Sequence, residues 1–210
     1  TNTSGTPADI IITVGSDNAT PATYSGKIEN GNAISVSLVK TGSGTLTLSG
    51  ANTYTGSTTI SGGILLTEAA NTLSSSSNVI INGGTLQTGA TVGYNQSHGA
   101  LDLLSSSTIV LGSGSHSATF SASNGLSWAG GAKLAIKGWT GTPGSSGTAG
   151  QIFIGTDESG LTVDQLANIT FYGYNSGAVI LSTGEISPSG LPAITISSPD
   201  PAVEAGNIYK

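Results

Sequence analysis

The residues able to carry acid–base, nucleophilic or metal chemistry are few in this chain and lie far apart. The acids are Asp9, Asp17, Glu29, Glu68, Asp102, Asp157, Glu158, Asp164, Glu185, Asp200 and Glu204, and the five basic residues are all lysine. Hydrolysis or lysis of a polysaccharide needs paired carboxylates, or acids gathered with a cation, on one face. No pair of acids here has such a context. Asp157-Glu158 with Asp164 has the composition of a cation site, but the same residues read as a solvated turn before a helix. His98 and His116 lie in Gly/Ser-rich turns without metal-ligand spacing and read as surface histidines. The Ser97-His98 and Ser115-His116 neighbours lack the G-x-S-x-G turn that exposes a nucleophilic serine. Gly42-x-Gly44 lacks the strand-to-helix setting of a phosphate loop. The chain has no cysteine, so thiolate chemistry, disulfides and thiol metal sites are excluded together. The expectation is no catalytic residue, no metal and no cofactor. Trp128, Trp139, Tyr54, Tyr94, Phe171, Tyr172 and Tyr174 raise the question of sugar stacking, although Trp139 and Tyr54 are expected to pack in the core or at a corner.

What remains is a scaffold. Of 210 residues, 36% are hydrophobic and only 8% charged, with 32 glycines; ordinary soluble domains are about 25% charged. Lysine is too sparse for phosphate neutralisation, which argues against nucleic acid. No apolar run approaches the ~18 residues of a membrane helix, so no membrane insertion is expected. The chain does not begin with Met, and residues 1–6 read either as a flexible start left by signal cleavage or as the end of a fragment excised from something longer.

Short apolar clusters recur every 8–15 residues or so, bounded by Gly, Ser and Asn, which suits a sandwich or a solenoid. Leu46, Leu48, Ile60, Leu65, Ile81, Leu86, Leu103 and Val110 alternate with Thr and Ser and are the expected interior. Residues 138–150 read as a flexible loop. Residues 162–169 are the one helix candidate, with Thr162 as N-cap, Gln165 completing a capping box, and Val163, Leu166 and Ile169 on one face. Two further apolar strands stand at the termini, one around Ile10, Ile11, Ile12 and Val14, the other around Ile194 and Ile196.

The segment 39–65 reads VKTGSGTLTLSGANTYTGSTTISGGIL. It closely resembles the passenger-associated repeat of bacterial autotransporters, of the form KxGxGxLxLxGxNxYxGxTxIxxGxL. Lys40, Gly42, Gly44, Leu46, Leu48, Gly50, Asn52, Tyr54, Gly56, Thr58, Ile60, Gly63 and Leu65 occupy its fixed positions. The stretches 134–141, 161–171 and 184–188 resemble segments that close proteins carrying this repeat.

The resemblance implies an all-β fold: a right-handed parallel β-helix (solenoid) with a C-terminal capping region containing one short helix. The expected organisation is an N-terminal strand or arm at 1–20, a solenoid at 21–137, a capping module at 138–190 and a strand or tail at 191–210. It implies a secreted protein, extracellular or on the bacterial cell surface. The leading functional reading is a structural subunit that assembles head to tail with copies of itself into a fibre or surface layer, with Ile10, Ile11, Ile12, Val14, Ile194 and Ile196 crossing between subunits. The second reading is a monomeric adhesin or passenger fragment that binds a surface glycan.

Overall fold

The structure, a computed structural model, describes residues 8–174 and 177–190. The chain winds as a parallel β-solenoid of about 6 turns. In chain order the strands are β1 (Ile10–Val14), β2 (Val36–Lys40), β3 (Thr45–Leu48), β4 (Thr58–Ile60), β5 (Ile64–Thr67), β6 (Val79–Asn82) and β7 (Thr85–Gln87). They continue as β8 (Gln96–Ser105), β9 (Ser107–Val110), β10 (His116–Ser121), β11 (Leu134–Lys137) and β12 (Gly150–Ile154). After a 3-10 turn at Glu158–Gly160 come the helix α1 (Val163–Ala167) and the strands β13 (Ile169–Phe171), β14 (Ala178–Ile180) and β15 (Ile186–Pro188).

One parallel sheet stacks β1-β2-β4-β6-β8-β10-β12, and the other stacks β3-β5-β7-β9-β11-β13. Most strands are short because a Gly, Ser or Asn corner follows within a few residues. Each alternates inward and outward because the pleat has period two. In-register stacking then turns a sequence alternation into ladders. In the first sheet Leu38, Thr58, Val79 and Leu101 form one ladder, and Lys40, Ile60, Ile81 and Leu103 another. In the second sheet Leu46, Leu65, Leu86, Ile109, Ile136 and Phe171 follow one another through the coil. All of these residues are buried.

The expected interior is realised except at Val110, which faces outward while Ile109 and Leu111 are buried. Three consecutive apolar residues give no parity, and register with Leu86 and Ile136 sets which of them points inward. Strand β8 is long because it serves two neighbours. Its C-terminal half pairs with β6 and its N-terminal half with β10, so the stack steps sideways along this one strand.

The capping box forms as expected: Thr162 Oγ1 accepts from the Gln165 N–H, and Gln165 Oε1 accepts from the Thr162 N–H. The helix face differs. Val163 is 80% exposed, and Ile169 belongs to β13, where it is buried. A helix of 5 residues is too short to present a stripe. It is held instead by Gln165, whose Nε2 donates to the carbonyls of Ser123 and Leu126. Thr162→Ala is therefore expected to cost about 1 kcal/mol, read as a lowered urea midpoint at unchanged slope.

Candidate functional site

Among the described residues, no three of His, Asp and Glu come together in a way that would hold a metal ion. Asp157 is engaged locally: its Oδ1 accepts from the N–H and hydroxyl of Ser159, which hold the carboxyl below its usual range. It caps the 3-10 turn.

Both histidines are buried rather than on the surface, because each falls on an inward position of its strand. His116 is fully engaged. Its Nδ1 lies 2.9 Å from the Gly114 carbonyl and its Nε2 2.9 Å from Thr88 Oγ1. Thr88 Oγ1 also accepts from the Gly112 N–H, so its proton goes to Nε2 and Nδ1–H donates to Gly114. His98 stacks in β8 beneath Phe120, with ring centroids 4.9 Å apart, and neither ring nitrogen has a partner. Burial lowers its pKa to about 4.

The repeat residues converge on the corners of the coil. Lys40 points inward at the end of β2 and is 1% exposed. Its Nζ donates to the carbonyls of Thr41 (2.5 Å), Gly42 (3.2 Å) and, one coil later, Gly62 (3.2 Å). Carbonyl dipoles rather than a carboxylate offset the buried ammonium, and desolvation lowers its pKa. Gly42 (φ 66°) and Gly63 (φ 59°) turn these corners. A Cβ at Gly42 would sit 1.9 Å from the Gly15 carbonyl oxygen, and one at Gly63 2.2 Å from that of Gly44. Backbone conformation and coil-to-coil contact both demand glycine at these two positions.

Asn52 ties three coils together. Its Oδ1 accepts from the Ile28 N–H at 2.6 Å, and its Nδ2 donates to the carbonyls of Thr72 (2.7 Å) and Gly50 (3.2 Å). Gln96 repeats the device further along: its Oε1 accepts from the Thr72 N–H and its Nε2 donates to the Ala69 carbonyl. Tyr54 is fully buried, with its hydroxyl 2.6 Å from Thr58 Oγ1, which is 2.9 Å from Ser77 Oγ. Burial raises the phenol pKa, which the hydrogen bonds to Thr58 and Ser77 oppose.

The expected flexible loop at 138–150 is held by two devices. Trp139 packs edge-on against Phe171 and Tyr174. Glu185, 1% exposed, accepts from Ser146 Oγ (2.6 Å), the Gly147 N–H (2.8 Å) and Gln151 Nε2 (3.2 Å). Glu185 is the acid of the closing motif, and its work is to fasten this loop. The aromatics expected in the core or at a corner, Trp139 and Tyr54, lie there. The largely exposed aromatics are Tyr172, beside Lys137, and Tyr24, which bridges β3 at the opposite end of the coil.

The two ends differ. At the C-terminal end, the antiparallel hairpin β14–β15 crosses the last coil. Phe153 of β12 bridges to Glu185, and the Ile154 N–H donates to the Gly184 carbonyl. At the N-terminal end, β1 pairs in parallel with β2, Ile10 opposite Val36 through Val14 opposite Lys40. The Ile10 N–H and Val14 carbonyl are used toward β2. By the alternation of a parallel ladder, the backbone groups of Ile11 and Thr13 face away from the coil, and no described strand pairs there. Ile10, Ile12 and Val14 are half-buried where their partners Val36, Leu38 and Lys40 are buried, and Ile11 is 68% exposed. Ile194 and Ile196 lie outside the described residues.

The passenger-associated-transport-repeat family model matches residues 38–67, the stretch that contains the Lys40, Asn52 and Tyr54 corners. No curated protein and no solved structure gives a significant match. This repeat carried on a β-solenoid is the make-up of a surface or passenger-like protein. Among the described residues, no helix is long and apolar enough to cross a membrane.

Proposed function

We propose that the chain is an extracellular structural protein, a short solenoid subunit that assembles head to tail with copies of itself. The observation that carries this reading is the inequality of the ends. One end is crossed by a hairpin, and the other ends in a parallel strand whose outer backbone groups no described strand pairs, above an incompletely covered core. Such an edge is a template for another strand, and joining unlike ends does not close into a ring unless a rotation brings it round. From sequence, Ile10–Val14 is expected to be lent to a neighbour. Its five-residue register with β2 of its own chain favours the acceptor role instead.

The reading involves no catalysis. The inward histidines, the hydrogen-bonded Glu185 and the capping Asp157 all have places in the packing. The purified protein is expected to release neither reducing ends nor unsaturated sugars from pectin, alginate or glucan. Release of either, abolished by one Asp or Glu substitution, would contradict this. The glycan-binding alternative draws little from Tyr24 and Tyr172, which stand at opposite ends and form no shared platform.

Sedimentation velocity and negative-stain microscopy over a hundredfold concentration range test assembly. The wild type is expected to form filaments. Thr13→Pro is expected to remain at the mass of one chain, 20.6 kDa. Proline there removes only an outward N–H and is tolerated on an edge strand. A wild type that stays monomeric throughout would sink the proposal.

A further inference from the structure

The cap poses a problem for any head-to-tail contact. With β14–β15 laid across β12, the last coil cannot itself present a strand to the β1 edge of another copy. A strand that bridges two copies must come from beyond the cap. We propose that residues 193–197 of one copy add in parallel to β1 of the next, with Ile194 over Ile10 and Ile196 over Ile12. This rests on the head-to-tail reading and names the segment that makes the joint.

Three observations on the chain support it. The first is pattern. Residues 193–197 read Ala-Ile-Thr-Ile-Ser, apolar at every second position. β1 presents Ile10 and Ile12 two residues apart, facing inward and half-covered. Adding the segment in register continues the ladders that Ile10 forms with Val36 and Ile12 with Leu38 by one further rung, while Thr195 lies outward beside Ile11.

The second is reach. The first sheet has 7 strands, so β1 and β12 are separated by six spacings of about 4.8 Å, roughly 29 Å in all. The chain leaves the cap at Ser189, whose N–H donates to the Gly177 carbonyl beside β13, at the last coil. From Gly190 to Ile194 the backbone spans at most about 14 Å. Residues 194–196 therefore cannot reach β1 of their own chain, whereas β1 of a copy stacked on the cap is within their range.

The third is backbone need. The outward N–H and C=O groups of Ile11 and Thr13 can be satisfied by the alternate groups of an added strand, which supplies affinity through the main chain while the isoleucines set register.

The test uses the full chain. Ile194→Asp/Ile196→Asp changes only the proposed donor segment and leaves β1 intact. Thr13→Pro leaves the tail intact and blocks the edge. Each alone is expected to sediment as one chain. Mixed in equal amounts, they are expected to give a species of two chains and nothing larger, because only one donor–acceptor pair is functional. Ile11→Cys/Thr195→Cys, in a chain with no other cysteine, is expected to give a ladder of covalent oligomers on oxidation, resolved by denaturing electrophoresis. If the wild type assembles and the Ile194/Ile196 variant assembles to the same mass distribution, the strand proposal is overturned and the assembly reading stands. The same holds if the oxidised double-cysteine protein yields only a disulfide within one chain. A wild type that is monomeric at every concentration removes both.

Discussion

Asn52→Leu is expected to destabilise the protein by about 3 kcal/mol, which for a chain of this size is a fall in melting temperature of roughly 6–12 °C. Leucine keeps the branch at Cγ but offers no hydrogen bond. The substitution leaves the Ile28 N–H and the Gly50 carbonyl without the partners they now have beside a residue that is 4% exposed. Each buried group orphaned in this way costs about 1–3 kcal/mol. The Thr72 carbonyl keeps the Asn52 backbone N–H as a donor and adds less. Asn30 supplies the control. Its Oδ1 accepts from the N–H groups of Val36 and Thr55, but Asn30 is only half-buried, at a corner more open to water. Asn30→Leu should cost well under half as much. In a stacked coil, stability is divided among neighbouring turns, so hydrogen exchange should show the Asn52 effect concentrated in the turns containing β2, β4 and β6. A uniform loss across the chain, or equal effects at the two asparagines, would refute the coil-joining role.

Acid should unfold this protein through one residue. His98 is buried with both ring nitrogens unpartnered, and its pKa falls from 6.5 to about 4 in the folded state. Between those values the unfolded chain binds a proton that the folded chain refuses. Stability is therefore intact above about pH 6.5 and falls as the pH drops toward 4, with no further loss from this group below it. At 1.36 kcal/mol per pKa unit, the loss is about 3 kcal/mol. His98→Leu should abolish this part of the pH dependence. It should also leave stability at pH 7 equal or improved, because it removes two polar atoms that have no partner. His116→Leu should behave in the opposite way and destabilise at pH 7, since it strips the Thr88 hydroxyl and the Gly114 carbonyl of their hydrogen bonds. Denaturant melts of the three proteins from pH 7.5 to 4 decide the matter. If His98→Leu keeps the wild-type slope, the acid sensitivity resides elsewhere.

These expectations assign the repeat a mechanical role. Lys40 holds carbonyls from two successive corners, Asn52 joins three coils, and Tyr54 closes a hydroxyl chain to Thr58 and Ser77 in the next turn. Each uses a polar side chain turned inward, where the cost of desolvation makes its geometry specific. A chain with 8% charged residues and no disulfide thus fixes its coil-to-coil register with buried hydrogen bonds as well as with apolar ladders.

Taken alone, the sequence determines the parts that are local or periodic. Alternation of Leu46 and Leu48 with threonine makes a strand with one inward face. Thr162 and Gln165 lie three apart and cap a helix. The repeat pattern at 39–65 carries the solenoid with it. These are legible because period-two pleating and first-turn capping depend only on residues close in the chain. Tertiary structure decides everything that depends on register between coils. It turns Ile109 rather than Val110 inward, because Leu86 and Ile136 on adjacent rungs select the parity. It buries His98 and His116, which sit among glycine and serine in the sequence and look like turn residues, because β8 runs on through Gly99 and β10 begins at His116, each histidine falling on an inward position. It makes Lys40 a core residue and gives Glu185 a loop to hold, through partners 22 and 38 residues away. And it sets β1 at the end of the described coil, with one edge that no described strand covers. A linear pattern can mark an apolar strand at Ile10–Val14, but which of its edges is covered depends on where the following coils place the rest of the chain, a property of stacking that no window of sequence contains.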